Sequence, residues 1–135
     1  MLEEALNSVL IGNAAVGALV GARVYPLVIP EEATLPAVAY QRVSGVRDTA
    51  HSDAQGFPGE LGWAMGRVQL TINAETYSAA KSVARAIRKA LNGKRGSMGG
   101  LMVHLARIEN EQDGYNQTSK RCTVRLDVVV YYTET

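Results

Sequence analysis

Hydrophobic residues recur along this chain with two spacings, every second residue and every third or fourth. The change from one to the other marks its elements. The clearest junction runs from Arg67 to Gly93. Val68, Leu70 and Ile72 alternate with Arg67, Gln69, Thr71 and Asn73, which predicts a half-buried strand. Tyr77, Ala80, Ala84, Ile87 and Leu91 then fall at spacings of three and four, stacking on one face of a helix. Asn73 or Thr76 offers an N-cap, and Gly93 stands where a helix ends in a left-handed residue. A helix of about 17 residues spans roughly 25 Å, enough to cover a small sheet.

The same reading extends in both directions. Leu2, Ala5, Leu6, Val9 and Leu10 share one face of a first helix that stops at Gly12. Asn13 caps a second, short helix over Ala14–Val20, closed by Gly21. Arg23–Pro26 is a brief extended piece, and 27–35, with Pro30 and the Glu31–Glu32 pair, is a surface connection. A strand opens at Pro36 and runs to Gly45, with Val38 and Tyr40 on one face and Ala39, Gln41 and Val43 on the other. Lys94–Gly100 (KRGSMGG) reads as a turn. In Leu101–Ile108, Leu101, Val103 and Leu105 alternate with Met102, His104 and Ala106. Asn110–Ser119 is polar, and Asp113-Gly114 predicts a turn there. In Lys120–Tyr132, Cys122, Val124, Leu126, Val128 and Val130 point one way and Arg121, Thr123, Arg125 and Asp127 the other. Val129 and Tyr131 break the polarity of that second face, which predicts that it is exposed there to meet a partner.

Helices and hairpins in this order predict an α+β domain spanning 1–135. Its mostly antiparallel sheet has four to five strands, with two or three helices on one face. The helix from Tyr77 onward packs on Val68, Leu70, Ile72, Val124 and Leu126, and the first helix joins it. One stretch has no periodicity: Arg47–Gly62 (RDTAHSDAQGFPGELG) joins two strands of a hairpin by a far longer loop than a hairpin needs.

Composition adds limits. The chain has 135 residues, 47% hydrophobic and 20% charged, with a formal net charge of +1. That length supports a single core without staples, and the balance of charge rules out a global basic field for nucleic acid. Cys122 is alone, so no internal disulfide forms, in keeping with a reducing compartment. The apolar stretch Val9–Ala22 follows two glutamates, is broken by Asn13 and is too short to span a bilayer, so no export signal or membrane contact is expected.

Catalytic signatures are lacking. Gly93-Lys94-Arg95 is no phosphate-binding loop, and Gly96-Ser97-Met98-Gly99 is no nucleophile elbow. Asp48, His51 and Asp53 lie close in the long loop, but a metal cage draws its ligands from rigid elements. Glu31 with Glu32 and Glu109 with Glu111 read as surface charge. The expectation is a non-enzyme with no cofactor and no metal.

Two features point to binding. Lys81, Arg85, Arg88 and Lys89 form a basic stripe on the helix, continued by Lys94 and Arg95. A solvated face with cations near the C-terminal end of the helix dipole explains it, and a nucleic acid or anionic ligand is the functional alternative. The second feature is the long loop. Arg47, Asp48, His51 and Phe57, with Trp63 just beyond it, are candidate contacts for a subunit or partner, together with Val129 and Tyr131.

Taken in order, several stretches resemble one family. They are the N-terminal helix pair, Gly21-Ala22-Arg23-Val24-Tyr25-Pro26, and Leu35-Pro36-Ala37-Val38-Ala39-Tyr40-Gln41-Arg42-Val43-Ser44-Gly45. The Arg67–Gly93 unit, Gly99-Gly100, Ile108-Glu109-Asn110-Glu111 and the closing Val130-Tyr131-Tyr132 complete the set. The chain resembles the small tail-completion proteins of long-tailed bacteriophages, which include tail terminators and head-to-tail joining neck proteins. The resemblance implies a virion structural protein, made in the host cytoplasm, that forms a homohexameric ring at the head-proximal end of the tail. Implied partners are the chain itself, the tail tube protein, a head-side connector or stopper, and genomic DNA passing through the lumen.

Overall fold

The computed structural model describes residues 2–47, 63–98, 101–118 and 120–134. Three described helices, α1 (Leu2–Gly12), α2 (Ala14–Val20) and α3 (Tyr77–Leu91), lie against a six-stranded sheet. Its strands are β1 (Val24–Pro26), β2 (Ala37–Arg47), β3 (Trp63–Ala74), β4 (Gly96–Met98), β5 (Leu101–Asn116) and β6 (Arg121–Glu134). They run in the spatial order β1-β2-β3-β6-β5-β4, every pair antiparallel except β1 with β2. The α+β class with helices on one face is as expected. The sheet is larger because β1 and β4 join its two edges. α1 touches β1, β2 and β4, elements from opposite ends of that order, so the sheet curls around the helices.

The alternating patterns become one core. Val68, Leu70 and Ile72 of β3 stand directly opposite Val128, Leu126 and Val124 of β6, and all six are fully buried. α3 lies over them with Ala80, Val83, Ala84, Ile87 and Leu91, and α1 adds Leu2, Ala5, Leu6 and Leu10. Thr76 caps α3, accepting from the Ala79 N–H at 3.1 Å, and Asn13 caps α2 by accepting from Val16. Each satisfies a backbone donor that a helix start leaves orphaned. Past the C-cap Asn92, Gly93 takes the expected positive φ, at 81°. A small second cluster of Ile29, Ala37 and Ala39 forms apart from this core; it is where the 27–35 connection folds back on the sheet.

At Gly66 the approach is closest. A Cβ built there falls 2.3 Å from the Leu2 side chain, so glycine is what lets the start of α1 settle on the sheet.

Four expectations need correction. The polar segment 110–116 is strand, not turn: β5 stays paired to β6 as far as Asn116 opposite Arg121, and the reversal falls at 117–120. Asp113-Gly114 misleads because both residues are paired to β6, opposite Val124 and Thr123, and tertiary contact outweighs local turn preference. The Lys94–Gly100 turn contains β4. Between Val103 and Leu105 the register slips by one residue, which turns Ala106 into the core in place of Leu105. A bulge has this effect, since one extra residue inverts the alternation beyond it. Tyr77, expected on the apolar face of α3, is 52% exposed.

Candidate assembly surfaces

Two cations of the basic stripe on α3, Lys81 and Arg88, are used within the chain. A second bulge, between Ile108 and Asn110, resets β5 so that Glu111 and Asp113 face α3. Lys81 Nζ donates to Glu111 at 2.5 Å and to Asp113 at 3.0 Å, and Arg88 Nη1 donates to Glu111 at 2.5 Å. Tyr77 Oη donates to Asp113 at 2.7 Å, and Lys81 also lies over the Tyr77 ring, 5.6 Å from its centroid. The hydrogen bond to Glu111, then that to Asp113, pushes the Lys81 ammonium above its ordinary value. Asp113 is held below its ordinary value by Tyr77 and then by Lys81, while Tyr77 is raised, first by its bond to the Asp113 carboxylate. Five groups therefore tie the far half of β5 to the helix. Charge-assisted bonds hold best when both partners stay ionised, as here.

Arg85 and Lys89 are exposed and make no ion pair among the described residues, and Arg95 is exposed beside the half-buried Lys94. The stripe of six cations thus loses two to internal carboxylates. Phosphate contact scales with the cations left to make it, and four of the six remain for that role.

The other face of the sheet is polar. Arg67 pairs with Glu109 at 3.0 Å, Gln69 and Asn110 both reach Asp127 at 3.5 Å, and Thr123 donates to Asn73 at 3.1 Å. Arg107 and Arg125 are exposed on it. Near the β5–β6 turn, Glu31, Asn73, Arg121 and Arg125 border a shallow hollow of about 310 Å³. Arg121 donates to the Glu31 carbonyl, pinning the 27–35 connection to this edge of the hollow.

The predicted contact residues are scattered. Val129 is not exposed: it is 2% accessible, seated between Arg67 and Arg107 in mid-sheet, so the broken polarity reflects local burial. Tyr131 is half-buried between Met65 and Leu105. Arg47 ends β2 and Trp63 begins β3, where their backbones are described. Asp48, His51, Asp53 and Phe57 lie outside the described residues. Among the described residues, no three His, Cys, Asp or Glu side chains converge as a metal cage, and no described helix is long and apolar enough to cross a membrane.

Sequence reasoning missed the carboxylates that meet the stripe, having read Glu109 and Glu111 only as surface charge. Their spacing from Asp113 was the available signal, since Glu111 and Asp113 sit on one face of any strand. It was masked by the turn assigned to Asp113-Gly114.

The described residues thus form a curled sheet with helices on one side and a polar open face on the other, with two cations of α3 held by carboxylates of β5. The family "Tail completion protein gp17" matches residues 4–132, and the chain belongs to it. It is therefore a structural protein of the virion, in the tail–neck region. The fold is similar to that of a chain in "Virion of native gene transfer agent (GTA) particle", at 20% identity and a TM-score of 0.71, covering 97% of this chain and 93% of that one. No curated protein matches the sequence.

Proposed function

We propose that this chain forms a homohexameric ring at the head-proximal end of the tail. There it ends growth of the tail tube and presents a docking face to the head-side connector or stopper. Genomic DNA passes through the lumen of the ring. The observation that carries the reading is the family match across nearly the whole chain.

The surfaces support it. A ring of one subunit needs two different, complementary faces on each copy, and this chain has unlike sheet edges at its two sides. Arg47, Asp48, His51, Phe57 and Trp63 belong to the long loop and its margins, which we assign to contacts with the next subunit or with the tube; Tyr131 joins them. A net charge of +1 suits a channel in which DNA must slide, because many phosphate contacts would hold it fast. The subunit is made in the host cytoplasm and incorporated as tails mature.

Particles produced without this chain test the reading in negative stain. Overlong tails, or tails separate from heads, are expected, with rescue by the chain supplied in trans. Tails of normal length joined to heads would sink it.

A further inference from the structure

The polar face of the sheet is not evenly filled. On it Arg125 of β6 stands between Thr71 of β3 and Gln112 of β5, and the next outward row is Asn73, Thr123 and Gly114. Arg121 follows in the row beyond, opposite Asn116. Two arginines about 13 Å apart along one strand therefore flank a row of short side chains that ends in a residue with none. The face dips there. Hollows of about 310 and about 400 Å³ meet along this row and share Thr123 and Arg125. Thr71, Asn73 and Arg121 border the first and Gly114 the second. A Cβ built at Gly114 meets nothing within 4 Å, so the space beside it is open.

The donors around the dip are unspent. Arg125 is exposed and makes no hydrogen bond or ion pair among the described residues. Arg121 donates to the Glu31 carbonyl and has no carboxylate partner among the described residues, so its charge is not neutralised. The Thr123 hydroxyl donates to Asn73 Oδ1 at 3.1 Å, which fixes that amide and leaves Nδ2, a donor only, without an acceptor. The Thr71 hydroxyl is also without a partner among the described residues. Two guanidinium groups, an amide and a hydroxyl thus border one recess, and such a set takes an anion. Exposed ion pairs contribute little, but Thr71, Asn73, Arg121 and Thr123 are half-buried, which keeps water from one side of whatever binds.

Arginine forks fit carboxylate and phosphate alike, and the surroundings choose between them. Glu31 borders the first hollow on one side. On the other, Asp127 follows Arg125 on the same face, held by the amides of Gln69 and Asn110. A nucleic acid presents phosphates in a continuous row, which would lie against these acids. A single acidic side chain set between the arginines meets donors alone.

We infer that the hollow between Arg121 and Arg125 binds a carboxylate, supplied by a glutamate or aspartate on an exposed peptide of a neighbouring virion protein. The inference rests on the neck reading above and names one place where this chain meets such a neighbour.

A titration of the purified, ¹⁵N-labelled chain tests it, followed by NMR at backbone amides and arginine Nε–H groups. The probe is the capped peptide Gly-Ser-Glu-Glu-Ser-Gly, with its Gln-Gln counterpart and a short DNA duplex as comparisons. The Glu-Glu peptide should shift Arg121, Thr123 and Arg125, and the Gln-Gln peptide should not. Arg125→Gln, which removes a fork, and Gly114→Phe, which fills the recess without changing charge, should each weaken binding about tenfold. Arg125→Lys should restore it only in part, and Arg107→Gln, on the same face, should leave it unchanged. Circular dichroism reports that each variant is folded. Absent shifts at the arginines, an equal response to the Gln-Gln peptide, or equal losses from Arg107→Gln and Arg125→Gln overturn the site. Duplex DNA that shifts the same residues at lower concentration than the peptide would overturn its assignment to a carboxylate. Tail length in particles lacking the chain reads the proposed function separately, so failure of one is told from failure of the other.

Discussion

Truncating Ile87 to alanine isolates the contact by which α3 holds the two central strands together. Ile87 is fully buried in the core cluster with residues of β3 and β6. Removing its outer carbons from such a site costs about 2–5 kcal/mol, from lost transfer energy plus the cavity left behind. With an unfolding entropy of about 2.1 cal/mol/K per residue, a chain of 135 residues loses about 10 °C in Tm for a cost of about 3 kcal/mol. Ile87→Val, at about 0.5–1.5 kcal/mol, should lower Tm by about 2–5 °C. Arg85, two residues earlier on the exposed face, is the control, and its replacement by alanine should stay within about 0.5 kcal/mol. Thermal melts followed by circular dichroism, with urea titrations to check that m is unchanged, read all three. Equal melting of the Ile87→Ala and Arg85→Ala proteins would refute the placement of α3 on the sheet.

Gly66→Val should destabilise the chain by about 1–3 kcal/mol through overpacking against Leu2, measurable as a drop in urea midpoint. Asp113→Asn should loosen the far half of β5, seen as faster amide exchange over 109–116. Because the Asp113 carboxyl sits below its ordinary value, the stability it adds is present above that ordinary value and is lost as pH falls through the native one. The Tm gap between wild type and Asp113→Asn should therefore close in acid. Lys81 has the opposite sign: its raised value keeps its contribution intact at neutral pH and surrenders it only in strong alkali, so Lys81→Met should lower Tm across the whole range from pH 6 to 9. Reversing Arg85 and Lys89 together to glutamate should leave head joining in assembled particles unaffected, since the account gives those cations no partner; loss of joining would restore the helix face as a contact.

Much of this fold was legible in the sequence because burial wrote it there. The alternation of Val68, Leu70 and Ile72 and of Val124, Leu126 and Val128 gave the central strands, and Asn13, Thr76 and Gly93 marked helix ends through capping needs that act locally. What stayed hidden depended on neighbours distant in sequence. β1 and β4, three residues each, are too short to show a period and exist through the strands beside them. Polar 110–116 is strand because β6 and α3 hold it, which no local propensity reveals. The bulge that exchanges Leu105 for Ala106 is a register shift with no residue signature. Surfaces were harder still: the basic stripe was visible, but its carboxylate partners lay across the chain, and Val129 looked exposed because its arginine neighbours are on other strands.

A reconstruction of the intact particle's neck tests the central claim most directly. Six copies of this α+β chain are expected in one ring, between the last layer of the tail tube and the head-side connector, with an open lumen on the axis. A neck without this fold, or the fold located elsewhere in the particle, would contradict it.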